Sequence, residues 1–173
     1  RDDETVGWYS AKARGIIPME KFKVSSNVER LIRQGRYTCR FNTSFRQVVT
    51  ECANRESTWI SDLIINSFEM LHLAGRAHSV EIFDEEEHLA GGLYGVSLGA
   101  AFFGESMFKK QKEMDKIALW HCHHILEKNG FELWDTQFYT DHLAQFGCIE
   151  ITAEEYKERL ETALEREAEF QQV

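Results

Sequence analysis

A chain of 173 residues with 43% hydrophobic and 12% aromatic content is long enough to bury its own core and too apolar to stay disordered. No run approaches the roughly 18 apolar residues of a membrane helix, and Arg1–Thr5 carry no apolar signal segment. The net charge of −9 is uneven: residues 1–55 hold eleven Lys and Arg against six acids, the remaining 118 hold nine against 23. The first region suits a polyanion such as nucleic acid and the second a cationic peptide, unless both are only solubilising charge.

The first helix is expected over 27–34, opened by Ser25-Ser26-Asn27 and stopped near Gly35. Asn42-Thr43-Ser44 opens a second, with Phe45, Val48, Val49 and Cys52 on one face. Thr58-Trp59-Ile60-Ser61 precedes a third over 62–74, with Gly75 as its stop. The period then shortens to that of strands. His78–Phe83 and Leu89–Val96 read as a hairpin around a polar turn, and Ala100–Phe108 as a further strand. Met114, Ile117, Ala118, His121 and Ile125 mark a helix face that ends at Asn129-Gly130, and Phe131–Phe138 reads as a strand. Thr152-x-x-Glu155 is a capping box opening a last helix that runs towards Glu169.

This order predicts an α+β fold, a mostly antiparallel mixed sheet covered by helices, with one right-handed crossover over 100–138. It is the order of N-acetyltransferase-like (GNAT-like) proteins. The glycine-rich turn that would bring a CoA pyrophosphate to a helix N-terminus is not evident, so an acyl donor other than CoA is expected.

Gly91–Val96 and Gly104–Phe108 are glycine-rich strands holding one carboxylate, Glu105. Strand glycines weaken a strand unless a backbone or ligand must come close, so the segment reads as a pocket floor with one charge. The alternative is a bulged edge hairpin with a solvated Glu. Asp135 and Gln137, two apart on a strand, are expected to share a face, either as an active pair or as a buried Asp satisfied by backbone donors. In His121-Cys122-His123-His124, consecutive helical residues point in different directions, so no metal is expected. Cys39, Cys52, Cys122 and Cys148 form no C-x-x-C pair and no zinc spacing, and point to a reducing cytoplasm. His142 is expected to make a structural hydrogen bond, and Ser106 lacks a G-x-S-x-G frame.

In order along the chain stand Gly7-Trp8-Tyr9-Ser10, Arg14-Gly15-Ile16-Ile17-Pro18, Thr58-Trp59-Ile60, Leu71-His72, Ala77–Glu81, Gly91–Val96, Gly104–Phe108, Asp135-Thr136-Gln137 and His142-Leu143. Together they resemble the leucyl/phenylalanyl-tRNA–protein transferases over about residues 7–151. The resemblance implies transfer of Leu, Phe or Met from aminoacyl-tRNA to proteins with an N-terminal Arg or Lys, which marks them for N-end rule degradation. It implies no cofactor, no metal and no membrane, and a monomer is expected. By matching positions it implies Asp135 and Gln137 as catalytic residues and Glu105 as the acceptor-peptide site. Leu93, Phe102 and Met107 match the donor amino-acid pocket, and Trp59 the contact to the tRNA 3′-adenosine. Each of these last four has a core-packing alternative. Residues 1–12 are expected to be the remnant of a small N-terminal domain and 13–173 the transferase domain. Lys109-Lys110 replaces a common Ser-Arg, and Phe68 a common Tyr. An acyl-CoA transferase and a non-catalytic module for basic N-termini remain as alternatives.

Overall fold

A computed structural model describes residues 12–55 and 58–172. The Gly7–Ser10 motif, and the expected N-terminal remnant up to residue 11, lie outside the described residues. The chain runs β1 (Ala13–Ile16), a short 3-10 turn (Met19–Lys21), α1 (Ser26–Gln34), β2 (Thr38–Phe41), α2 (Phe45–Ala53) and α3 (Asp62–Leu73). β3 (Ala77–Phe83), β4 (Leu89–Leu98), β5 (Ala101–Lys109), α4 (Met114–Lys128) and β6 (Leu133–Gln137) follow. The last elements are α5 (Asp141–Ala144), β7 (Ile149–Thr152) and α6 (Ala153–Leu164).

Local chemistry sets the helix ends. Ser25 accepts from the Val28 amide, and Gly35 closes α1 in the left-handed region at φ 61°. Ser61 caps α3 by accepting from Ile64. α2 buries Phe45, Val48, Val49 and Cys52, the face its periodicity predicts. Only half of the capping box before α6 forms: Thr152 Oγ1 accepts from the Glu155 amide, while the Glu155 carboxylate pairs with Arg159. α6 stops at Leu164, short of Glu169. Beyond it Phe170 returns to the core and stacks on Phe102 and His78. The strand expected over 131–138 is Leu133–Gln137, and β1, β2 and β7 are strands that the pattern did not announce.

The seven strands form one sheet in the order β2-β3-β4-β5-β6-β1-β7. All neighbours are antiparallel except β5 and β6, which α4 connects. α4 buries Ile117, Ala118, Cys122 and Leu126 with Val80, Ile82, Leu93 and Phe102, while α2 and α3 build a second core with Tyr94 and Phe108. The fully buried Glu81 on β3 accepts from Thr43 N, Thr43 Oγ1, Ser44 N and Ser79 Oγ, which pins the turn that starts α2.

Two irregularities decide the shape of the sheet's centre. Opposite β4, Tyr94 pairs with Ser106 and Gly95 with Gly104, so Glu105 is an extra residue, a bulge. Opposite β1, Ile16 pairs with Asp135 and Gly15 with Gln137, so Thr136 is skipped. Bulges bend and twist the strand that carries them. β5 and β6 pair only at Ala101–Leu133, Phe102–Trp134 and Phe103–Asp135, then part.

Close backbone approach, one of the two causes expected, accounts for the glycines of β4. A Cβ at Gly91 would stand 2.6 Å from Met114 Cβ, and one at Gly95 would stand 2.4 Å from the Phe103 carbonyl oxygen and 2.5 Å from the Phe102 ring. Gly91 admits α4 and Gly95 the neighbouring strand, whereas a Cβ at Gly104 would meet nothing closer than 3.4 Å. Gly95→Ala is expected to destabilise the protein by about 1–3 kcal/mol, read as a lower Tm, because backbone on β5 cannot give way. An unchanged Tm would contradict this packing.

Candidate active site

A cavity of about 770 Å³ opens where β5 and β6 part. Gly104–Lys110 line one side; Trp134, Thr136, Gln137 and Phe138 line the other, with Leu119 of α4 and Leu143 of α5. Leu93, Phe102 and Met107 all border it, and Leu93 faces Met107 across the strands; Leu93 and Phe102 are buried in the core, as their packing alternative has it, while Met107 is half-buried. Phe102 and Met107 are five apart, a separation that puts side chains on opposite faces of a regular strand. The Glu105 bulge shifts the alternation by one and brings them to the same face, against the same core. Trp59 is 53% exposed and lines the cavity, so its core-packing alternative is ruled out by position.

Glu105 and Gln137 meet across the opening: Gln137 Nε2 donates to Glu105 Oε2 at 2.9 Å. An ionised carboxylate only accepts, so the amide presents its NH₂ to Glu105 and its carbonyl oxygen is left for another donor. Burial raises the Glu105 pKa above the ordinary carboxylate value, and the Asp135 charge adds to this; the Gln137 bond and Arg14 pull the other way.

Asp135 sits behind Gln137 and has no exposed surface. Its Oδ2 accepts from Arg14 Nη2 at 2.8 Å and Tyr156 Oη at 2.5 Å, and its Oδ1 from the Gln137 backbone amide at 2.6 Å. Arg14 Nε reaches both oxygens, at 3.2 and 3.0 Å. Gln137 itself has φ 67°, the left-handed region. The strand pleat therefore does not place its side chain, contrary to the shared-face expectation; a kink does. β1 permits the kink through Gly15, where a Cβ would lie 2.4 Å from the Phe138 carbonyl carbon.

The His tract disperses as expected from helical geometry. His121 meets Tyr37 Oη at 3.0 Å, His123 meets the Met19 carbonyl at 2.9 Å, and His124 stacks on Trp120. Among the described residues no group of three His, Cys, Asp or Glu is arranged for a metal. His142 makes an edge contact with Phe146 and lines the cavity; among the described residues its ring has no hydrogen-bond partner.

A profile of the leucyl/phenylalanyl-tRNA protein transferases matches residues 16–161. The chain belongs to the leucyl/phenylalanyl-tRNA–protein transferase family. Relatives bearing that name include one from Nitrobacter winogradskyi, 45% identical over 98% of this chain and 76% of the relative. One from Maricaulis maris is 46% identical over 98% and 80%, and one from Herpetosiphon aurantiacus 45% over 98% and 88%. Among solved structures, FemX superposes with a TM-score of 0.62 at 9% identity, over 84% of this chain and 60% of that one. L-PGS from Bacillus licheniformis does so with 0.51 at 10%, over 87% and 56%. At such identities these show the fold alone, and it is the N-acetyltransferase-like α+β fold expected from the order of elements.

For a member of this family, the opening gathers Trp59, Leu93, Phe102, Glu105, Met107 and Gln137 into one cavity and keeps Asp135 behind it. Sequence reasoning gave Arg14 and Tyr156 no role; the only signal was Arg14's place in a quoted motif. Carbon-13 NMR titration is expected to place the Glu105 carboxyl above the ordinary value, and higher still in Gln137→Leu, which removes the bond that lowers it. An ordinary value in the unaltered protein would contradict this geometry.

Proposed function

We propose that this transferase moves Leu or Phe, with Met as a third donor, from aminoacyl-tRNA to the N-terminal Arg or Lys of acceptor proteins. The observation that carries the residue assignment is the Glu105–Gln137 bridge across the opening, with an apolar pocket beside it. Leu93, Phe102 and Met107 receive the donor side chain. The adaptable Met suits both a branched and an aromatic occupant, and an apolar pocket separates such sizes by only about 1–3 kcal/mol. The exposed Trp59 stacks on the terminal adenosine, a contact worth about 1–3 kcal/mol. Exposed Arg30, Arg33 and Arg36 in the basic N-terminal third support contact with tRNA phosphates.

The acceptor's α-amine attacks the ester carbonyl, a peptide bond forms, the ester C–O bond breaks, and the amine's proton leaves with the ribose oxygen. The ester is already activated, so positioning supplies much of the rate. The Gln137 carbonyl oxygen accepts from the amine and holds it in line; an amide is too weakly basic to take the proton outright. Glu105 meets the cationic side chain of the acceptor. Asp135 acts through Gln137, since it has no surface in the cavity. Charged tRNA is a cytoplasmic substrate, and among the described residues no helix is long and apolar enough to cross a membrane.

The direct test is transfer of radiolabelled Phe from Phe-tRNA to an Arg-initiated peptide. Transfer is expected; peptide binding with no transfer would leave only a binding module, and stabilisation by acetyl-CoA instead of a Phe-tRNA mimic would indicate a different acyl donor. Glu105→Gln is expected to raise KM for the peptide about 10- to 100-fold, the worth of a hydrogen bond to a charged group, and to leave KM for Phe-tRNA unchanged. Because the Glu105 pKa is raised, peptide KM should climb as pH falls while ordinary surface carboxylates are still ionised. A KM flat down to the ordinary carboxylate range would remove Glu105 from acceptor recognition.

A further inference from the structure

Gln137 is held in a backbone conformation that few non-glycine residues adopt, φ 67°, and such strain persists only where surroundings over-determine it. Three contacts do so here. Asp135 Oδ1 takes the Gln137 amide at 2.6 Å, Gly15 leaves room for the Phe138 backbone, and the Thr136 bulge turns the strand. The first works only if the Asp135 carboxylate itself cannot rotate. Two side chains from opposite ends of the chain stop it: Arg14 of β1 by a two-pronged contact at 2.8–3.2 Å, and Tyr156 of α6 by its hydroxyl at 2.5 Å. The Arg14 guanidinium also lies over the Tyr156 ring, 5.2 Å from its centroid, so the two brace each other.

We propose that Arg14 and Tyr156 are positioning residues for acyl transfer: they lock the Asp135 carboxylate, which through the Gln137 amide holds the kink that aims the Gln137 side chain into the cavity. This rests on the reading of Gln137 given above. Neither residue lines the cavity. Asp135 is a buried anion whose one cation is the Arg14 fork among the described residues. Tyr156, raised in pKa by burial and by its bond to Asp135, remains a donor throughout the working range. A lysine at position 14 keeps the charge and loses the fork.

The test uses the whole chain and a double-mutant cycle with charged tRNA and an Arg-initiated peptide. Tyr156→Phe removes one hydroxyl and is expected to lower kcat about tenfold, with either KM changed less than about twofold, since a hydrogen bond to a charged group is at stake. Arg14→Lys should fail to restore the rate lost in Arg14→Gln. In a Gln137→Ala background, Tyr156→Phe should cost less than about twofold more, because the route to the reaction is already cut. A full tenfold loss there would show that Tyr156 acts on general stability and would overturn the proposal. Should Gln137→Ala alone leave kcat intact, the reading of Gln137 fails instead. The Gln137 amide proton, followed by nitrogen-15 NMR, then decides the clamp: a shift toward an unbonded position in Tyr156→Phe supports it, and an unmoved signal overturns it.

Discussion

The fold turns on two parallel strands that cannot stay together. β5 and β6 pair over three residues and then separate, because each is bent by an extra residue, Glu105 in one and Thr136 in the other. A sheet normally pairs its backbone groups throughout, and a gap at its centre is costly unless each strand keeps its other neighbour. That condition is met: β5 stays on β4 up to Lys109, and β6 stays on β1 up to Gln137. The opening is thus a stable feature of a continuous sheet, and the side chains on its two lips meet through Glu105 and Gln137.

Charge in the opening follows from that geometry. Asp135 is balanced by Arg14 and has its oxygens filled, so it is spent on structure. Glu105 has only the Gln137 amide among its described hydrogen bonds, and burial makes its charge costly until a cation arrives. In the proposed function that cation is the acceptor's basic N-terminal residue. The same opening is apolar on the side of Leu93, Phe102 and Met107, so under the proposed function the two substrates would meet different chemistries on either side of one amide.

Much of this was legible before any coordinates. The periodicity of α2, the cap of α1 and the hairpin of β3 and β4 are local properties, and they stand within a residue or two of expectation. The four-residue strands β1, β2 and β7 were not, because so short a segment has no period to read and depends on partners far along the chain. The glycines of β4 announced a close approach but not by what: it is Met114 and the backbone of β5 that come near. Phe102 and Met107 share a pocket only because of a bulge, which one sequence does not reveal. Arg14 and Tyr156 lie 121 and 21 residues from Asp135, and no spacing rule links them.

The central claim is that the opening between β5 and β6 is where the acyl group and the amine meet. It is tested most directly by a crystal structure with phenylalanyl-adenosine joined by an amide, which cannot be hydrolysed as the ester can. The phenyl ring should lie among Leu93, Phe102 and Met107, the adenine on Trp59, and the carbonyl carbon between them on the Gln137 side of the opening. A ring bound elsewhere, or a carbonyl turned away from Gln137 and Glu105, would contradict the account.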